Sequence, residues 1–309
     1  MPTRPTVLWL LEPASARDTV RAIAELDLAG ADAVVLPAES RGGPEPLLTA
    51  AAAARRAPRI GLIAEISPWS QPPFLTARAL NTLDALTRGR AGWFVTAEDT
   101  GAVCADDSGR WNPAGTGPRE REEALADYLA ATAALWNSWE PHAIVADVPS
   151  GRYVDADCVH VPGYRGPYYA TRGPLNAPRP PQGRPVRVAD FAAAAEPSRG
   201  TGCAAPGTAA SDTADVLLVA DESEVAAAAA TASHVLLRVG PERALDPPPT
   251  GADGYAFHGI GPGALFGRVL HEVLPAAAAA RDGLLRDRLG LPAGDFDYVP
   301  CEAGTEVPL

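Results

Sequence analysis

The chain has 309 residues, 47% of them hydrophobic, and a formal charge of −12. A length of this order suits one α/β barrel domain spanning residues 1–309, and no apolar run approaches the ~20 residues a membrane span needs. All 26 basic residues are arginine, which excludes Schiff-base chemistry and a P-loop lysine, and the acidic balance argues against nucleic acid or an anionic membrane as partner. The apolar run near the N-terminus is too short for a secretory signal, so a cytoplasmic protein is expected. The four cysteines, Cys104, Cys158, Cys203 and Cys301, are far apart and without histidines at metal-ligand spacing, and are read as free thiols rather than disulfides or a zinc site.

In chain order, short β-branched or Leu-rich runs alternate with Ala-rich stretches of helical character, the pattern of a parallel sheet with helical crossovers. Strands are expected at Thr6–Leu11, Ala33–Leu36, Ile60–Ile66, Gly92–Thr96, Val186–Asp190, Val216–Ala220, His234–Val239 and Tyr255–His258. Runs this apolar fit strands buried on both faces, as in the wall of an eight-stranded (β/α)8 TIM barrel. Helices are expected at Ala16–Leu28, Glu45–Arg55, Phe74–Thr87, Arg119–Trp139, Glu222–Ala232 and Gly263–Leu289, with thin crossovers after the fifth and seventh strands. The Gly-, Pro- and Tyr-rich segment 141–184 reads as an extended arm between the fourth helix and the fifth strand. Its Tyr164, Tyr168 and Tyr169 are expected to pack inward rather than stack on a ligand.

Barrel chemistry collects at the C-terminal strand ends. Those ends carry Glu12, Glu39, Glu65, Glu98, Asp190, Asp221, Arg238 and His258. Glu65 and His258 are the candidate proton-transfer pair, because a carboxylate and an imidazole commonly share that task. A solvated charged rim is the competing reading. A buried Glu65 needs a partner, for which Arg238 or His258 is expected. The Gly-rich turn containing Gly261 and Gly263 leads into the last helix, where backbone N–H groups would hold an anion or simply start the helix.

Two segments carry a family likeness. Residues 59–98 read RIGLIAEISPWSQPPFLTARALNTLDALTRGRAGWFVTAE, and residues 135–185 read LWNSWEPHAIVADVPSGRYVDADCVHVPGYRGPYYATRGPLNAPRPPQGRP. Together they resemble the luciferase-like flavin-dependent monooxygenases of the nitrilotriacetate and dibenzothiophene-sulfone branch. The resemblance implies a TIM barrel, reduced FMN delivered by a separate flavin reductase, a small organic substrate, and a homodimer or a heterodimer with a family member. It also implies flavin contacts at Ser67 and Thr96, and phosphate contacts at Ser198, Arg199 and Thr201. The chain is shortened relative to that branch, since strand six ends at Ala220 and strand eight begins at Tyr255, leaving out the late helical insertion. It departs from the family pattern at Phe94, at Glu65, at Arg121-Glu122 and at Ala189-Asp190-Phe191, which predicts weakened FMN binding. Two functions therefore stay open: a two-component monooxygenase, or a catalytically degenerate chain that serves as a non-catalytic partner.

Overall fold

The computed structural model describes residues 5–69, 71–95, 118–191, 214–240, 248–259 and 283–296. Eight parallel strands close into a barrel: β1 (Thr6–Leu10), β2 (Ala33–Leu36), β3 (Gly61–Ile66), β4 (Ala91–Val95), β9 (Val186–Asp190), β10 (Val216–Val219), β11 (His234–Val239) and β12 (Gly254–Phe257). They lie in sequence order around the ring, and β12 closes onto β1 with Thr6 opposite Gly254 and Trp9 opposite Phe257. All eight expected strands are present, with boundaries shifted by a residue or so. His258 falls just past the end of β12.

The wall strands are largely apolar because both of their faces are covered. One set of side chains, including Leu8, Val35, Ile63, Phe94, Val188, Leu218, Leu236 and Ala256, packs together as an inner core. The alternate residues Val7, Trp9, Val34, Leu36 and Leu62 pack instead with Val20, Ile23 and Leu26 of α1 (Ala16–Ala29). At the seam, the backbone of Thr6 lies where a Cβ on residue 254 would stand, so only glycine permits the closure.

Local signals set the helices. Ser15 caps α1 by accepting the Asp18 N–H at 3.2 Å, and Gly30 ends it in the left-handed region at φ 87°. Pro46 opens α2 (Pro46–Ala53), with the Glu45 carboxylate accepting from Leu47 and Leu48. The α3 (Pro73–Thr87) and α4 (Pro118–Trp136) helices cover β3 and β4 through Ala77, Leu80, Tyr128 and Leu135. The expected fifth helix is a short 3-10 turn, Glu222–Glu224, running into α5 (Val225–Ala229). Of the expected last helix, residues 263–282 lie outside the described residues. The described remainder forms α6 (Leu285–Arg288).

That last helix closes the N-terminal end of the barrel. Leu285 stands against Gly61, where a Cβ would come within 2.7 Å of the Leu285 side chain. The buried Arg286 guanidinium grips the Asp215 carboxylate with two 2.8 Å contacts, and its backbone N–H donates to Gln182. Gln182 in turn donates to Asp84 and to the Ala91 carbonyl.

The arm before β9 holds two small antiparallel hairpins, β5 (Ile144–Asp147) with β6 (Arg152–Val154), and β7 (Tyr164–Arg165) with β8 (Ala170–Thr171). Asp127 of α4 anchors it, accepting from Tyr164 Oη at 2.5 Å and from the Tyr168 and Tyr169 N–H groups at 2.7 and 2.6 Å. The Tyr169 ring meets Tyr128 edge-on at 5.4 Å. The three arm tyrosines thus pack against the barrel, as expected. No helix among the described residues is long and apolar enough to cross a membrane.

Candidate functional site

Side chains two apart on a strand share a face. The inward face of β3 therefore carries Ile63 and then Glu65, that of β9 carries Val188 and then Asp190, and that of β11 carries Leu236 and then Arg238. The apolar members fill the barrel, and the polar ones emerge at its C-terminal end. There they line a cavity of about 170 Å³ together with Leu10, Val35, Phe94, Glu12, Arg41 and His258.

Two ion pairs organise this cavity. The Glu65 carboxylate is buried, meets Arg41 Nε at 3.1 Å through one oxygen and accepts the Ala38 N–H at 3.1 Å through the other. Arg41 ends the 3-10 turn Glu39–Arg41, which follows β2. This corrects the expectation that Glu65 would pair with Arg238 or His258. Around the barrel β2 adjoins β3, so its turn is within reach, whereas β11 and β12 lie farther round the ring. Arg238 instead holds Asp190 with Nη2 at 2.5 Å from Oδ1. Glu12 accepts the Gly259 N–H at 3.2 Å, and among the described residues no cation is recorded beside it.

Of the residues singled out from the sequence, Glu12, Glu65, Asp190, Arg238 and His258 meet at this one cavity. Glu39 and Asp221 do not line it. Asp221 caps the turn Glu222–Glu224 by accepting from the Ser223 N–H. Ser67 is buried beside the path of the chain out of β3 and accepts the Trp69 N–H at 3.3 Å, away from the cavity lining. Thr96, Ser198, Arg199, Thr201, Gly261 and Gly263, like Glu98, lie outside the described residues. Arg41 was missed by the strand-end reading because it sits on a turn. Its signal was an arginine directly preceding the Gly42-Gly43 pair after a strand.

Tested against FMN, the described residues do not fit the whole cofactor. The cavity is smaller than the ~300–1,000 Å³ of sites that enclose drug-sized ligands. Both of its guanidinium groups are engaged by carboxylates, Phe94 fills part of the wall, and Glu122 on α4 is exposed. The space suits a small organic molecule. Among the described residues, no group of His, Cys, Asp and Glu side chains is placed to hold a metal ion.

An all-parallel eight-stranded barrel with a polar cavity at the C-terminal strand ends is the architecture of TIM-barrel enzymes. The luciferase-like monooxygenase profile matches residues 2–233, and the chain belongs to this family. It is 31% identical over 295 residues to one of the two subunits of pristinamycin IIA synthase from Streptomyces pristinaespiralis, covering 90% of this chain and 91% of that protein. It is 33% identical over 144 residues to N-acetyl-S-(2-succino)cysteine monooxygenase of Bacillus subtilis, and 33% identical over 154 residues to nitrilotriacetate monooxygenase component A of Aminobacter aminovorans. Those matches cover 47% and 50% of this chain but only 32% and 33% of these longer relatives. In fold, the structure of a long-chain alkane monooxygenase superposes with a TM-score of 0.73 at 15% identity, covering 96% of this chain and 97% of that one.

Proposed function

We propose that this chain, as a single barrel domain with an arm, is one component of a two-component flavin-dependent monooxygenase acting on a small organic substrate. The observation that carries the reading is the cavity at the catalytic end of a barrel of this family, walled by Leu10, Val35 and Phe94 and rimmed by ionisable groups. Reduced FMN, supplied by a separate reductase, would activate dioxygen. The flavin would be held by residues beyond the described ones or by a longer family member in a mixed assembly. The near full-length match to one of the paired chains of pristinamycin IIA synthase supports the second arrangement. It also favours a working oxygenase component over a degenerate chain. In this reading His258, exposed at the rim, is the group available for proton transfer. Glu65, tied to Arg41 and Ala38, shapes the wall.

The test is incorporation of labelled dioxygen into organic substrates by tagged chain purified from its own host with whatever protein accompanies it, supplied with FMN, a flavin reductase and NADH. Labelled product is expected. Oxygen uptake that yields only hydrogen peroxide, whatever substrate is added, would defeat the proposal.

A further inference from the structure

Among the described residues the carboxylates at the cavity outnumber the guanidinium groups. Among its described lining residues are three carboxylates, Glu12, Glu65 and Asp190, against two guanidinium groups, Arg41 and Arg238. Each guanidinium already has a carboxylate of its own, at 3.1 Å for Arg41 with Glu65 and 2.5 Å for Arg238 with Asp190. A carboxylate-bearing ligand would meet guanidinium groups whose charge these carboxylates already offset. Glu12 is left over: its carboxylate accepts only the Gly259 N–H among the described residues. The apolar side chains of Leu10, Val35 and Phe94 line the same cavity.

We propose that this cavity selects a small molecule with an apolar body and a basic amine, and discriminates against carboxylates, with Glu12 as the specificity-determining residue. The inference deepens the monooxygenase reading and rests on it for the word substrate, but the binding preference stands on the cavity alone. It also separates this chain from the relative named for nitrilotriacetate, a polycarboxylate. A carboxylate with no cation beside it among the described residues, at the edge of a partly apolar cavity, attracts an ammonium group and repels a second carboxylate, and the difference shrinks as salt screens it.

Ligand-observed NMR of the purified chain with n-butylamine and with butyrate tests this, because the two probes share an apolar tail and differ in charge. At low ionic strength butylammonium is expected to bind about tenfold more tightly, a preference that falls with added salt. Glu12→Gln keeps a carbonyl for the Gly259 N–H and is expected to fold normally and bring the two affinities together. Asp190→Asn, which frees the Arg238 guanidinium, is expected to raise butyrate affinity. Equal or tighter binding of butyrate to the unaltered chain, binding of neither probe, or a preference unchanged in Glu12→Gln would overturn the proposal. Failure to oxygenate any substrate, with the amine preference intact, would sink the monooxygenase reading and leave this one standing.

Discussion

Glu65 and Arg41 form an ion pair of unequal partners: the carboxylate is 4% exposed and the guanidinium 47%. Removing one side is therefore not equivalent to removing the other. Arg41→Ala takes the recorded cation away from a buried carboxylate and is expected to cost about 3 kcal/mol. Glu65→Gln leaves a neutral amide that still accepts from Ala38, beside a guanidinium able to reach water, and is expected to cost only about 1 kcal/mol. Urea denaturation of both variants checks the order. Equal losses would mean that the pair is not what holds the turn after β2.

FMN titration of the isolated chain is expected to give a dissociation constant weaker than about 1 µM, since the described cavity cannot enclose the ring system. Flavin fluorescence quenching measures it directly. Tight binding by the chain alone would show that the residues beyond the described ones complete a full flavin site.

Asp127 is a single carboxylate serving three donors on the arm. Asp127→Ala orphans two backbone N–H groups and a hydroxyl, and a loss of about 3 kcal/mol is expected. The damage should be local. Hydrogen exchange is expected to accelerate at residues 164–171 while β1 to β4 keep their protection, and uniform acceleration would argue that the arm and barrel unfold as one.

Asp84 carries the pH dependence that the structure supports most directly. Burial pushes its carboxyl above the ordinary value of 3.8, against the opposing pull of hydrogen bonds from Gln182 and Ala91 and of the Arg286 charge. A raised value in the folded state means that the folded chain holds this proton more tightly than the unfolded chain. The stabilisation it gives is complete below the unfolded value and is lost as pH rises through the folded one. Asp84→Asn should remove that component from the pH profile of thermal stability. It should also lower stability overall, because the amide turns a donor toward the donors of Gln182. A variant whose profile runs parallel to that of the unaltered chain would place the titration elsewhere.

The barrel was legible because most of its strands are buried on both faces and so read as short, largely apolar runs, with Ala-rich helical stretches between them. The polar rim was legible because barrel chemistry collects at the C-terminal strand ends, where Glu65 and Arg238 fall. The pairing within the rim was not, because it depends on which loops adjoin around the ring, and Arg41 lies off every strand. The hairpins of the arm were equally hidden. Ile144–Asp147 is exposed along its length, so no alternation of apolar and polar residues marks it as a strand.

The closure of β12 onto β1 ties the first strand of the chain to one that begins at Gly254, and α6 then seals the floor from Leu285 onward. During synthesis the opening strands must therefore wait, with one edge unpaired, until nearly all of the barrel has left the ribosome. Contacts so distant in sequence form slowly. Expression at low temperature, or with chaperones that shield exposed strand edges in excess, is therefore expected to raise the soluble yield.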